Sequence, residues 1–229
     1  MLSILDLLDS RTLDIDLAAY LMARVSRGAS FMVGASPGGA GKTTVMCALL
    51  NLIPADTELV AATPAAVRAA ASGSRRCYVC HEIGAGPYFA YLWGGDLRAY
   101  CTLPAKGHML ATNLHADDLD EAQAQVCLDN GVPSAHFNRF ELLVFLRVDR
   151  GVTGTHRVVE KVYALNPAGS HDIAFDARDG RGRLRLSGPS AGWTLQCRAF
   201  LKSLLPAGIR TIEEVRSAVV EFLTAYSRP

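Results

Sequence analysis

The sequence lacks the features that would mark a membrane-spanning, exported or repetitive protein. No apolar run approaches the roughly 20 residues of a transmembrane helix, and there is no internal repeat or long low-complexity linker. The first residues carry Asp6 and Asp9 without a basic segment or a cleavage site, so we expect no signal peptide. They predict instead an amphipathic helix that docks through Ile4, Leu7 and Leu8, with a peripheral membrane helix as the alternative.

The charge balance is close to neutral. A net charge of +1 over 229 residues gives no overall field that would attract nucleic acid, and we predict no nucleic-acid partner. The length is sufficient to bury a sizeable core. We expect a single domain over residues 1–229, with a core at about 14–150 and an extension at about 151–229.

The six cysteines are scattered and lie mostly in apolar runs, which favours buried, reduced thiols in a cytoplasmic protein. Cys77-Tyr78-Val79-Cys80-His81 matches the C-x-x-C-H pattern of haem attachment. That attachment requires export, and a lone C-x-x-C supplies only half of a zinc site. In a strand, an odd separation places Cys77 and Cys80 on opposite faces. We therefore interpret them as strand residues.

The most informative segment is a glycine-rich loop at residues 34–44, Gly-Ala-Ser-Pro-Gly-Gly-Ala-Gly-Lys-Thr-Thr. An apolar run precedes it and a helix-like run at 45–53 follows it, which is the strand, loop and helix context of a phosphate-binding P-loop. Ser36 stands where the first glycine of the pattern is usual, and its small side chain can keep the turn. The segment predicts nucleotide binding.

Each part of the loop has an expected role. Glycines let consecutive backbone N–H groups turn towards a phosphate, and the helix N-terminus adds its partial positive charge. Lys42 should reach the β- and γ-phosphates, and the Thr43 hydroxyl should bind Mg²⁺. The predicted nucleotide-binding residues are Pro37, Gly38, Gly39, Ala40, Gly41, Lys42, Thr43 and Thr44.

Strands and helices alternate through the first two thirds of the chain, which predicts an α/β fold with a mostly parallel sheet covered on both faces. The predicted strands lie at residues 30–33, 58–62, 76–83 and 109–114. The predicted helices lie at residues 42–53, 63–73, 89–103 and 117–131.

The pattern changes near the C-terminus. Short strands at 142–148, 157–165, 172–177 and 183–186 are joined by Gly, Asn and Asp turns and predict antiparallel hairpins. Two helices close the chain, and the last begins with a capping box formed by Thr211 and Glu214.

Glu82 is the best candidate for the carboxylate that a P-loop needs to handle Mg²⁺ and the attacking water. It ends a buried strand at the edge of the sheet where ligands of open α/β sheets bind. His108 precedes the next strand and His115 leaves it, with Thr112 and Asn113 between them. We expect these polar groups to sense a γ-phosphate.

Together these residues resemble the secretion ATPase family, the motor ATPases of type II and type IV secretion systems and of type IV pili. His81-Glu82-Ile83-Gly84 is similar to the Walker B segment of the family. Residues 107–115 are similar to its histidine box, which reads Gly-His, five residues, Leu-His. Residues 142–165 resemble the strand pair that follows the box, and the resemblance covers most of residues 14–165.

The resemblance implies a RecA-like P-loop NTPase core that binds ATP and Mg²⁺ and hydrolyses ATP to drive a secretion or pilus machine. Lys42, Glu82, His108 and His115 would be catalytic residues, and Glu82 would act with Thr43 at the Mg²⁺ ion. The histidines would couple the γ-phosphate to movement of the chain.

The resemblance also implies how the protein is assembled and where it is found. It predicts a hexamer in which one subunit completes the site of its neighbour. Arg75, Arg76 and Arg98 are the candidates for that contact. The implied partner is an inner-membrane secretion or pilus platform protein, with a cytoplasmic location and peripheral attachment to the inner membrane.

Departures from the family pattern leave two alternatives open. The separate N-terminal domain and the acidic box of the family have no clear counterpart, and Gly84 replaces an Arg. A nucleotide-binding regulatory or structural module with little hydrolysis is therefore the first alternative. A P-loop small-molecule kinase is the second, with the arginines of residues 178–183 as its lid, although Arg and Gly beside Asp are common turn chemistry.

Overall fold

The computed structural model describes residues 1–36, 38–151, 154–178, 184, 191–209 and 211–226. Pro37 of the predicted P-loop therefore lies outside the described residues, as does the strand predicted at 183–186 apart from Leu184. Of the kinase-like lid at 178–183 only Arg178 is described, and its guanidinium pairs with the carboxylate of Glu160.

The described residues form one sheet of eight strands. The strands are β1 (Ser30–Gly34), β2 (Glu58–Ala61), β3 (Arg76–Ile83), β4 (Tyr91–Leu92), β5 (Met109–Leu114), β6 (Phe140–Gly151), β7 (Gly154–Leu165) and β8 (His171–Asp176). They lie in the order β2-β3-β5-β1-β6-β7-β8, with β4 beside β3. Neighbours from β2 to β6 are parallel, whereas β7 is antiparallel to both β6 and β8. The predicted parallel sheet with C-terminal antiparallel hairpins is confirmed.

Helices cover both faces of the sheet. They are α1 (Ile4–Asp9), α2 (Ile15–Val25), α3 (Lys42–Leu50), α4 (Pro64–Arg68), α5 (Gly94–Tyr100), α6 (Leu119–Gln123), α7 (Ser134–Phe137), α8 (Ala191–Leu204) and α9 (Ile212–Tyr226). The first three helices and the last two share one hydrophobic cluster, and α4 to α7 share the other. None of the helices that the structure describes combines the length and the apolar composition that crossing a membrane requires.

Alternation along the strands separates the two clusters. Phe31 and Val33 of β1 belong to the first cluster, whereas Met32 between them belongs to the second. Cys77 and Cys80 divide in the same way, as their odd spacing predicts. Burial raises the pKa of both thiols to about 12, and the two side chains pack in the core.

The helix predicted at 89–103 is wrong in its first part. The structure has β4 there, followed by α5 and a 3₁₀ turn at Leu103–Lys106. The reason is a tertiary contact. The N–H groups of His81 in β3 and of Gly84 directly after β3 donate to the carbonyls of Ala90 and Leu92, so this segment extends the sheet. The predicted helices at 42–53 and 63–73 also end earlier, at Leu50 and Arg68.

Local capping chemistry at both ends of the chain follows the sequence. Ser3 and Asp6 form a capping box at α1, and Ile4 and Leu7 of that helix are buried. The predicted box at α9 is present, because Glu214 N–H donates to Thr211 Oγ1 and Thr211 N–H donates to Glu214 Oε2.

Tyr100 at the end of α5 joins the two strands that carry the predicted site residues. Its hydroxyl oxygen lies 3.0 Å from the carbonyl oxygen of Tyr78 in β3 and 3.0 Å from that of Ala111 in β5. The side chain is fully buried, so water cannot replace these hydrogen bonds if they are lost.

We expect Tyr100→Phe to lower the free energy of unfolding by about 1–2 kcal/mol, the usual cost of leaving buried carbonyls without a donor. Urea titration followed by circular dichroism measures the change. Tyr88→Phe is the matched control, because Tyr88 is 65% exposed and the substitution should leave the stability unchanged. Equal stability of Tyr100→Phe and the wild type would contradict the bridging role.

Candidate functional site

The glycine-rich loop leaves β1 through a position that only glycine fits. A Cβ atom at Gly34 would lie 2.6 Å from the carbonyl oxygen of Ala116 and 2.7 Å from the ring of Phe145. At the other end of the loop, Gly41 adopts φ 95° and caps α3, in the left-handed region that favours glycine. The chain therefore turns directly from β1 into α3, as the P-loop pattern predicts.

The amino end of α3 is open to an anion. Gly41 has no side chain to cap the helix, so the first-turn N–H groups keep their partial positive charge. Residues 38–45 line a cavity of about 1000 Å³ at this point. The uncapped amides and the adjacent ammonium of Lys42 fit a phosphate group.

Lys42 connects the ends of three neighbouring strands. Its Nζ donates to the carbonyl oxygen of Ala35 after β1 at 3.0 Å and lies 3.2 Å from Nδ1 of His115 after β5. The same Nζ lies 3.7 Å from Oε1 of Glu82 in β3. Burial lowers the pKa of the Lys42 amine, and the nearby carboxylates of Glu82 and Asp117 oppose that shift.

A β-bulge aims Glu82 at Lys42. In the pairing of β3 with β5, Cys80 lies opposite Thr112 and Ile83 opposite Leu114, so β3 contains one extra residue. Strict alternation would turn Glu82 to the same face as Cys80, in the cluster with α4 to α7. The bulge instead puts Ile83 in that cluster and leaves Glu82 free to face the P-loop, where it lines the cavity.

Asn113 lies between the P-loop and β3. Its Nδ2 donates to the carbonyl oxygen of His81 at 2.9 Å and to Thr43 Oγ1 at 3.4 Å. Its Oδ1 and Glu82 Oε1 are buried and accept no hydrogen bond from the described residues. Of the two, Glu82 Oε1 is a hard carboxylate oxygen on a residue that lines the cavity and suits Mg²⁺, whereas Asn113 turns its amino group, not this oxygen, to the Thr43 hydroxyl.

Thr43 and Glu82 together fit the donor set that is usual at a magnesium site. Mg²⁺ is typically held by one or two protein oxygens together with phosphate oxygens and water, rather than by a full protein cage. The described residues contain no cluster of three His, Cys, Asp or Glu side chains that could hold a metal by itself. Thr43 and Glu82, the two residues predicted from the sequence, would hold the ion.

His115 contacts the P-loop at two places, Lys42 and Ser36. Its Nδ1 lies 3.2 Å from both the Lys42 Nζ and the carbonyl oxygen of Ser36. The first contact requires a bare Nδ1 and the second a protonated one, so the two contacts compete. Ser36 is fixed in turn, because its N–H donates to Asp117 Oδ1 at 2.6 Å.

The structure does not bring His108 to the site. The residue lies at the opposite end of β5 from His115 and does not line the cavity. It is buried, accepts a hydrogen bond at Nδ1 from the Arg76 N–H, and its Nε2 lies 2.9 Å from the carbonyl oxygen of Ala71. These contacts fasten the loop before β3, so His108 has a packing role.

Sequence reasoning missed two other walls of the cavity. One is the link between α1 and α2, including Arg11, which adopts φ 56°. The other is the start of β7, with Thr155, His156 and Arg157. The start of β7 lies in the segment that resembles the strand pair of the family, but neither its sequence nor that of the α1–α2 link indicates a contact with the P-loop, because both contacts depend on the tertiary fold.

The arginines predicted to contact a neighbouring subunit have partners within the chain. Arg76 pairs with Glu58, and Arg98 donates to the carbonyl oxygen of Asn130. The guanidinium of Arg75 packs over Gly28.

Comparison with known proteins identifies the fold. No family model matches the sequence, and no curated protein matches it either. Among solved structures, the ATPase DotB from Yersinia pseudotuberculosis superposes with a TM-score of 0.50 at 11% identity, covering 94% of this chain and 62% of that one. The chain shares the fold of this ATPase. That resemblance, predicted from the sequence, is confirmed at the level of the fold.

Two further solved structures are similar. The VirB11 ATPase of the Brucella suis type IV secretion system, solved with sulphate, has a TM-score of 0.49 at 21% identity, covering 72% of this chain and 55% of that one. The ATPase DotB of Legionella pneumophila has a TM-score of 0.47 at 11% identity, covering 88% and 63%. The chain thus spans between 55% and 63% of the length of these structures.

The lowered pKa of Lys42 predicts the pH dependence of its chemical modification. Only the neutral amine reacts with an acylating reagent, so labelling of Lys42 should reach half its maximal rate below pH 10.5, the ordinary pKa of lysine. Peptide mass spectrometry separates Lys42 from the other three lysines. Glu82→Gln should lower the midpoint further, because the carboxylate favours the charged amine. A midpoint at or above pH 10.5 would contradict the assigned environment.

Proposed function

We propose that this protein is a P-loop ATPase of the secretion ATPase type, which binds Mg-ATP and hydrolyses it to drive a secretion or type IV pilus-like machine. The observation that carries the proposal is the buried carboxylate of Glu82 aimed by a bulge at the P-loop lysine. A bulge beside a site that re-aims one carboxylate is typical of functional positions. The fold of the secretion ATPases supports the same conclusion.

The phosphates of ATP would be held at the amino end of α3. The backbone N–H groups of residues 38–44 supply donors, and Lys42 supplies a cation. Thr43 and Glu82 would hold Mg²⁺, which neutralises charge on the phosphate oxygens. Pro37 completes the predicted nucleotide-binding loop.

Hydrolysis would follow an exchange of partners at Lys42. The γ-phosphate replaces the Glu82 carboxylate as the anion beside the ammonium, which frees Glu82 to accept a proton from the attacking water. The bond from the water oxygen to the γ-phosphorus forms as the bond to the bridging oxygen breaks, and ADP leaves with both electrons of that bond. His115 then reports the loss of the phosphate, because it shares contacts with Lys42 and Ser36.

One observation favours the second candidate, a nucleotide-binding module with little turnover. Glu82 already has two cationic or potentially cationic neighbours, since Lys42 Nζ lies 3.7 Å from Oε1 and His115 Nε2 lies 3.9 Å from Oε2. If these contacts persist in the complex with ATP, the carboxylate stays engaged with Lys42 and His115 instead of the attacking water, and the protein would signal its nucleotide state without rapid hydrolysis.

The assembly is proposed by analogy with the secretion ATPases. We propose a homohexamer that works with an inner-membrane platform protein from a cytoplasmic, membrane-peripheral position.

A substitution at Lys42 tests nucleotide binding. Lys42→Ala should abolish measurable ATP binding in a calorimetric titration while the fold survives, because the ammonium lies at the phosphate cradle. Lys202→Ala is the matched control, since Lys202 is exposed on α8. Unchanged ATP affinity of Lys42→Ala would refute the proposed site.

A substitution at Glu82 distinguishes the ATPase from the binding module. Glu82→Gln should keep ATP affinity but slow hydrolysis by about 100-fold or more, the scale of a positioned general base. His115→Ala should reduce turnover less. Both are measured beside the wild type at saturating Mg-ATP.

Two outcomes would change the assignment. Wild-type turnover no greater than that of Lys42→Ala would favour the binding module over the ATPase. Equal turnover of the wild type and Glu82→Gln would show that another group activates the water.

A further inference from the structure

The start of β7 brings a cation to the P-loop from the side opposite Glu82. Because β7 is antiparallel to β6, its first residues lie at the edge where the parallel strands end. Arg157 is the fourth residue of β7 and pairs with Val148 of β6. The topology therefore places an arginine from the C-terminal hairpin on the cavity that holds the P-loop.

Arg157 is fitted closely to the loop. Its Nε donates to the carbonyl oxygen of Gly39 at 2.9 Å. A Cβ atom at Gly41 would lie 3.1 Å from the Cδ atom of Arg157, so the glycine makes room for this side chain. The arginine stem thus crosses the loop that the sequence marks for phosphate binding.

The guanidinium has donor groups to spare. Its hydrogen bond to Gly39 uses only Nε, and no carboxylate within the described ranges pairs with it. Arg147 on β6 and Arg178 just after β8 differ in this respect, since both pair with Glu160. An arginine held in place by a backbone carbonyl, with its terminal amino groups uncompensated, is pre-organised for an anion.

We propose that Arg157 contacts the phosphate groups of the bound nucleotide and supplies, from within the same chain, a second cation for the P-loop. This inference rests on the proposed nucleotide-binding function and adds a residue that no motif marks. Val159, two residues further along β7, donates its N–H to the Thr12 carbonyl at 2.8 Å. The strand that carries Arg157 therefore also holds the N-terminal wall of the cavity.

The test compares three variants in calorimetric titrations with Mg-ATP and with inorganic tripolyphosphate. Arg157→Ala should weaken binding of both ligands by about tenfold or more, equivalent to about 1.4 kcal/mol or more, because it removes a charge-assisted hydrogen bond to phosphate. Arg157→Gln should lose a similar factor, although its amide can still donate to Gly39. Arg150→Ala, an exposed arginine on the same hairpin that does not line the cavity, should bind as the wild type does.

The outcomes are distinguishable. If the wild type binds neither ligand, the proposed function itself fails. If the wild type binds and Arg157→Ala and Arg157→Gln match Arg150→Ala, only the role of Arg157 is overturned. A loss for ATP without a loss for tripolyphosphate would also overturn it, because the contact would then be to the nucleoside. Should Arg157→Ala fail to fold, the Arg157→Gln comparison decides.

Discussion

The contact between the Lys42 ammonium and the Glu82 carboxylate is the interaction on which the candidate site depends. Both side chains are about nine-tenths buried, and a buried charge is costly unless an opposite charge lies nearby. The same ammonium also holds the ends of β1 and β5 through Ala35 and His115. One cation therefore contacts residues at the ends of three strands, and a ligand that binds this cation lies beside all three.

The sheet brings residues to the candidate site in two different ways. The parallel strands bring their carboxyl ends to one edge, which gathers Glu82, Asn113 and the P-loop. The antiparallel β7 adds its own amino end to that edge, and with it Arg157. The C-terminal hairpins are thus part of the cavity wall, and they contribute charge as well as packing.

Local signals in the sequence predicted the loop, the strand that carries Glu82 and the cap of α9, because each depends on a few consecutive residues. The bulge at β3 could not be predicted, since it exists only in the register with β5. Arg157 and Asp117 were missed because their contacts span more than 80 residues of sequence. In contrast, the distance between His108 and His115 could have been predicted from the sequence, because the six-residue strand between them spans about 20 Å.

The two hydrophobic clusters differ in when the chain can complete them. The cluster beneath α4 to α7 draws its buried residues from positions 32–145, whereas the other needs residues from Ile4 through Leu223, with α2 packed on α8. During synthesis, the face of the sheet beneath α4 to α7 can be covered early. The other face is covered only after α8 and α9, which are synthesised last, pack beside α1 and α2. Long-range contacts of this kind slow folding and leave apolar surface exposed meanwhile. The face that carries the P-loop helix is therefore the one that depends most on protection during synthesis.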